Sequence, residues 1–165
     1  MSKAALDRLV SKFPSEIVST HDLHGDDTAI VKSEKLVEIM TFLRDDPSCS
    51  FEMLTDLTGV DLLGHQEPRF EVVYHLYSLT KNHRLRIKVQ AGEEDPSVPS
   101  ILSIWKAANW MEREAWDLYG INFVGHPDLR RILLYPEFEG HPLRKDYDRE
   151  ARQPLIPARD GREHI

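Results

Sequence analysis

The chain has 165 residues, with 28 acidic side chains against 21 basic ones and a formal charge of −7. That length suits one domain plus an extension, and the acid excess argues against nucleic acid, whose phosphates demand a basic face. No apolar run approaches the roughly 18 residues that span a bilayer, so membrane association is expected only through partners. The opening residues, Met1 to Arg8, carry neither an apolar signal core nor the Arg-rich, acid-free character of a transit peptide. A single cysteine, Cys49, excludes an internal disulfide framework and points to a reducing compartment.

Leu6, Leu9, Val10 and Phe13 follow helical spacing, and Pro14 ends that helix. Two short strands are expected at 16–20 and 28–32, around a polar turn at Gly25-Asp26-Asp27. Ser33 is placed to cap a second helix whose Leu36, Val37, Met40 and Leu43 share a face, and which stops at Asp45-Asp46-Pro47. The stretch 51–63 reads as strand. A hairpin follows: Phe70, Val72, Tyr74 and Leu76 alternate, Lys81-Asn82-His83 turns the chain, and Leu85, Ile87, Val89 and Ala91 alternate on the return. Arg84, Arg86, Lys88 and Gln90 then face water. Residues 92–99 form a polar loop, Pro99 opens a helix through Ile101, Leu102 and Trp105, and Asn109 caps a last helix ending at Gly120. The expected fold is α+β: a mixed, hairpin-rich sheet packed with helices and followed by an extended C-terminal tail.

The tail is set apart by composition. Residues 1–125 hold 13 basic and 20 acidic side chains, whereas residues 126–165 hold eight of each and five of the ten prolines. Proline removes amide donors and biases its predecessor toward extended backbone. The chain therefore divides into a globular domain, 1–125, and an interaction tail, 126–165.

Self-contained chemistry is hard to find. His21 and His24 lack the further ligands a structural zinc needs; His75 reads as a half-buried strand residue, and His65 and His83 as loop residues. Glu112, Glu114 and Asp117 sit on one helix, but Glu112 and Glu114 point to different faces, and Arg113 and Asp117 are spaced to neutralise one another. That helix is expected to turn Met111, Ala115 and Leu118 inward. The nucleophile-elbow, phosphate-loop, dinucleotide and zincin motifs are missing, and Cys49 has no activating cation beside it in sequence. No catalytic, cofactor or metal residue is assigned.

One pattern does stand out. Gly125-His126-Pro127-Asp128-Leu129-Arg130-Arg131 is echoed by Gly140-His141-Pro142-Leu143-Arg144-Lys145-Asp146. Arginine forks recognise carboxylates bidentately and are favoured in interfaces. Between and around the charges lie Phe123, Leu129, Ile132, Leu133, Leu134, Tyr135, Phe138 and Tyr147, more large apolar groups than a solvated tail would need. Such a tail is built to lie against protein.

Glu112-Arg113-Glu114, Asp117-Leu118-Tyr119-Gly120, Gly125-His126-Pro127 and Arg130-Arg131-Ile132-Leu133 together resemble the signature of the C subunit of NADH–quinone oxidoreductase, the 30 kDa-type peripheral-arm family of respiratory complex I. His141, Pro142, Arg144, Lys145 and Asp146 fall in a second block of that family. The resemblance departs after Asp146, where Tyr147 is followed by Asp148-Arg149-Glu150. It implies a non-catalytic subunit of the quinone-reducing module, whose tail packs along the large D subunit near the cluster-bearing B and I subunits. It also implies that the chain binds no cofactor, while the assembly uses FMN, iron–sulfur clusters, NADH and quinone and translocates protons. A peripheral place on the cytoplasmic face of a bacterial membrane follows from the same resemblance. The alternatives are the equivalent subunit of a membrane-bound hydrogenase or of an F420- or ferredoxin-linked complex, a metal-dependent hydrolase built on His126 and His141, and a general adaptor.

Overall fold

The structure, a computed structural model, describes residues 2–156. Three helices, α1 (Lys3–Lys12), α2 (Leu36–Asp45) and α3 (Ala108–Tyr119), accompany strands β1 (Ile17–His21), β2 (Thr28–Val31), β3 (Met53–Asp61), β4 (Phe70–Ser78), β5 (His83–Ala91), β6 (Ser97–Pro99) and β7 (Asn122–Val124). The first five strands form one sheet in the order β1-β2-β5-β4-β3. All its pairings are antiparallel except β2 with β5, so the sheet is mixed. Strands β6 and β7 make a separate parallel pair.

The expected hairpin forms, and its register runs from Phe70 opposite Ala91 to Ser78 opposite His83. Period-two alternation sends Val72, Tyr74, Leu76, Leu85, Ile87 and Val89 to one face. There they join Leu6 and Leu9 of α1, Ile39, Met40 and Leu43 of α2, and Ala108 and Ala115 of α3 in a single core. The opposite face is polar but not simply wet. Glu71 is buried and takes the Lys88 ammonium at 2.7 Å, and Arg86 reaches Asp26 at 2.7 Å.

Several local expectations are corrected. Helix α2 starts at Leu36, not beside Ser33, because residues 33–35 form a turn in which the Leu36 amide bonds the Ser33 carbonyl. His83 begins β5 instead of lying in the loop, with its ring stacked on Phe51 and its Nε2 2.9 Å from the Cys49 carbonyl. The polar loop 92–99 contains β6. No helix runs through Ile101 and Trp105: the Ile104 and Trp105 amides both close onto the Ile101 carbonyl, and the segment folds as single turns, with the Ile101 amide itself on the Glu112 carboxylate at 2.7 Å. Asn109 lies inside the first turn of α3, which ends as expected at Gly120 in the left-handed region, φ +73°.

The largest correction concerns α3. Its buried face carries Glu112, Arg113, Ala115 and Asp117, while Met111 and Leu118 are only half-buried. Arg113 and Asp117 do not pair with each other. Each binds the C-terminal segment instead.

Candidate functional site

Residues 126–156 contain neither helix nor strand. They run as a strap over the C-terminal end of α3 and the ends of β3 and β4, and two buried carboxylates hold them there.

The first is Asp117. Its Oδ2 accepts the consecutive amides of Ile132, Leu133 and Leu134 at 3.0, 2.9 and 2.9 Å, and its Oδ1 accepts Arg131 Nη1 at 2.7 Å. Burial alone would raise this carboxyl's pKa, but three amides and a guanidinium outweigh it and hold the group below its ordinary value. Arg131 then donates onward to the carbonyls of Phe138 and Gly140, cross-tying the strap. From α3, Arg113 donates to the carbonyls of Arg130 and Arg131 at 3.1 and 3.0 Å. The two residues expected to neutralise each other therefore both grip the strap. Their i,i+4 spacing puts them on one side of the helix, and the strap supplies better partners than either offers the other.

The second is Asp61, at the end of β3. Arg69 meets it with two parallel N–H···O bonds of 2.9 and 2.8 Å, and uses its remaining donors on Glu93 and on strap residue Asp146. Asp61 Oδ2 also accepts the Lys145 amide at 2.8 Å. Burial pushes Asp61 up, yet Arg69 and the amides of Lys145 and Leu63 overcome it and bring it to about 2. The same carboxylates raise Arg69, which is 2% exposed. Above it, Arg69 and Arg144 both lie over the Phe70 ring, at 4.8 and 5.1 Å.

Between these anchors the second half of the echo closes the path. His141 Nδ1 lies 2.9 Å from the Asp117 carbonyl, which can only accept, so Nδ1 carries the proton. Burial lowers this imidazole's pKa. Arg144 donates to the Tyr119 carbonyl at 2.6 Å, and the Leu143 amide to that of Leu118 at 3.0 Å, so last-turn carbonyls of α3 are satisfied by the strap. A side chain at Gly120 would meet Arg144 and His141 at 2.6 Å, which explains glycine there beyond its positive φ.

The two echoed motifs thus share a turn but not a task. Gly125 and Gly140 both have positive φ, +88° and +87°. His126 spends its Nδ1 on the Asp128 amide of its own turn, and Arg130 pairs at the surface with Asp128. His141 and Arg144 reach α3. Among the described residues, no three His, Cys, Asp or Glu side chains converge as a ligand set. Cys49 is buried, and burial pushes its thiol up to about 11. Of the signature residues, Glu112 and Asp117 have no exposed surface and Arg113, Arg131, His141 and Arg144 point inward. Glu114, Pro127, Arg130 and Lys145 lie outward, Pro142 is half-buried, and Asp146, itself half-exposed, turns its carboxylate onto the buried Arg69. Sequence reading missed Asp61, Arg69 and Glu93, whose only signal is an acid at the end of β3 and a base directly before β4.

The chain that folds in this way belongs to a known family of subunits. The family model described as "Respiratory-chain NADH dehydrogenase, 30 Kd subunit" matches residues 29–153, which include both anchors. The C subunit of NADH-quinone oxidoreductase from Roseiflexus sp. (strain RS-1) is 50% identical over 141 residues, covering 86% of this chain and 80% of that protein. The protein of the same name from Geobacter sulfurreducens is 46% identical over 143 residues, covering 87% of each. Among solved structures, a trypsin-resistant fragment (1-134) of Nqo5 superposes with a TM-score of 0.67 at 33% identity, covering 78% of this chain and all of the fragment. A chain of the membrane-bound sulfane sulfur reductase, an archaeal respiratory membrane complex, superposes with a TM-score of 0.72. It covers 90% of this chain and 86% of that one at 22% identity, and so shows a common fold alone.

Proposed function

We propose that this chain is a non-catalytic subunit of a proton-translocating NADH–quinone oxidoreductase, peripheral on the cytoplasmic face of a bacterial membrane. It sits in the quinone-reducing module, where the segment 126–165 packs on the large D subunit, with the cluster-bearing B and I subunits nearby. The observation that carries this reading is the likeness to C subunits of NADH-quinone oxidoreductase, which runs on through the strap. The strap's outer side supports it: Leu133, Leu143 and Leu155 are 61%, 45% and 94% exposed, interleaved with the outward Arg130 and Lys145. Such a mixture of apolar and basic groups suits a protein surface. In this reading Glu112, Asp117 and Asp61 shape the strap, and Glu114, Pro127, Arg130 and Lys145 touch the partner. FMN, iron–sulfur clusters, NADH and quinone belong to other subunits. No described helix is long and apolar enough to cross a membrane, so partners would hold the chain there.

The test is the native particle. Gentle detergent extraction of membranes carrying a tagged chain is expected to recover a large assembly with NADH–quinone activity, in which a probe placed at Leu133 cross-links to the D subunit. A free monomer, or a D subunit that never cross-links, overturns the reading. A particle with hydrogenase-type or F420-linked input in place of NADH would assign the chain to a related complex.

A further inference from the structure

Buried carboxylates in this protein are normally answered by cations. Asp61 has Arg69, Glu71 has Lys88 and Asp117 has Arg131, all within 2.8 Å. Asp27, slightly exposed, accepts the Ser2 hydroxyl, its one side-chain partner among the described residues. Glu112 is the extreme case: fully buried, on the core side of α3, with no cation in ion-pair reach among the described residues. Its two oxygens face the Ser100 hydroxyl at 2.6 Å and the Ile101 amide at 2.7 Å. From β4 the fully buried Tyr74 phenol is the titratable group that senses its charge, and that hydroxyl has no hydrogen-bond partner. Its helix neighbour Arg113 turns away to the strap carbonyls.

An uncompensated carboxylate in such a place is costly, and binding a proton is the ordinary way to remove the charge. We propose that Glu112 is a proton-binding site that couples proton uptake to the seating of the β6–β7 ribbon, and with it the root of the strap, on α3. The geometry gives the coupling its route. Ser100 and Ile101 directly follow β6, the Ser100 amide bonds the Val124 carbonyl of β7, and β7 runs straight into Gly125 and His126. A protonated Glu112 donates to the Ser100 oxygen while still accepting the Ile101 amide, so both bonds survive without a buried charge. Burial, against the smaller pull of Ser100 and Ile101, raises this carboxyl to about 7, which puts the transition near neutral pH. The site lies in the chain's own core and does not depend on which partner the strap meets.

The test is infrared spectroscopy on the full chain, taking the carbonyl stretch of protonated carboxyls as the difference between wild type and Glu112→Gln. From about pH 5 to about pH 9 the band is expected to fade with a midpoint near the raised value, and to be absent from the variant. Exchange protection of the Ile101 and His126 amides should fall with it. The wild-type folding constant should drop at least tenfold relative to Glu112→Gln across the same window. Should Glu112→Gln fail to fold, Ser100→Ala decides by moving the wild-type midpoint upward, because it removes a bond that favours the charged form. No titrating band assignable to Glu112 overturns the site, and a titrating band with unchanged amide protection overturns the coupling.

Discussion

The hairpin β4–β5 and the strap 126–156 are both held in fixed paths, by opposite means. The hairpin is fixed by a continuous ladder and by alternate apolar side chains entering one core, so its stability is spread over many small contributions. The strap has no ladder. Its amides find acceptors in two buried carboxylates from other parts of the chain, so a large share of its order rests on Asp117 and Asp61. Burial of apolar area degrades gradually when trimmed, whereas a buried charge network fails when one member is removed.

The largest effect expected from that contrast is at Asp117. Asp117→Ala strips the acceptor from three amides and leaves the Arg131 guanidinium half-enclosed without its carboxylate. The expected loss is about 3–5 kcal/mol of folding stability, measured by urea unfolding. Limited proteolysis should then cut the strap before the sheet. For the same reason, removal of residues 126–165 is expected to weaken the remaining domain, not merely to free it from its complex, since Asp117, Asp61 and Arg69 lose strap partners. A truncated chain that melts like the whole one would show that the anchors contribute nothing. On the other side of the comparison, Leu76→Ala in the hairpin, where the side chain is 1% exposed, should cost about 2–5 kcal/mol with strap and sheet unfolding together.

This contrast also explains what could be read from the sequence. The hairpin's two strands and their inward faces are legible because period-two alternation is a local signal that the core enforces, whereas the turn proves one residue shorter, with His83 in β5. The strap's existence was legible from its prolines and interleaved aromatics, and its signature residues were named. What they do was not. Arg113 and Asp117 looked like a surface pair because i,i+4 spacing cannot reveal that residues 15 to 17 positions further on will bring three amides to the acid. Asp61 and Arg69 leave no local trace because their strap partners, Lys145 and Asp146, lie 84 and 77 positions away respectively. The missing 101–105 helix is a failure of propagation: the Ile104 and Trp105 amides both close onto the Ile101 carbonyl and the chain makes single turns instead of a continuing ladder.

Acid should separate the two regions next. Asp61 is held at about 2, well below its unfolded value, so its contribution is complete above that unfolded value and is lost as pH falls through the folded one. Asp117 is depressed in the same direction. Between about pH 4 and about pH 2, hydrogen exchange is expected to open the amides of residues 132–134 and 145 before those of β4 and β5. Simultaneous opening would mean that the anchors do not act separately from the sheet. Gly120→Ala tests the joint between the regions. It demands a positive φ from alanine and forces Arg144 or His141 aside, at a cost of about 1–3 kcal/mol, read by thermal unfolding.

The smallest stability effect, and the most informative for function, comes from the arginine pair. Arg130 and Arg131 are adjacent, of the same chemistry, and in the same motif, yet only Arg131 is turned inward onto Asp117. Arg131→Ala is expected to behave as a weaker Asp117→Ala. Arg130→Ala removes a pair whose side chains are 69% and 60% exposed, and should shift folding by no more than about 0.5 kcal/mol. If the strap's outward side is the partner surface, Arg130→Ala should nonetheless reduce recovery of the assembled complex at unchanged chain stability. If the two arginines lower stability equally, the division between anchoring and outward residues fails. If Arg130→Ala leaves both stability and assembly untouched, the partner surface lies elsewhere on the strap, with the exposed leucines at 133, 143 and 155 next to be tested.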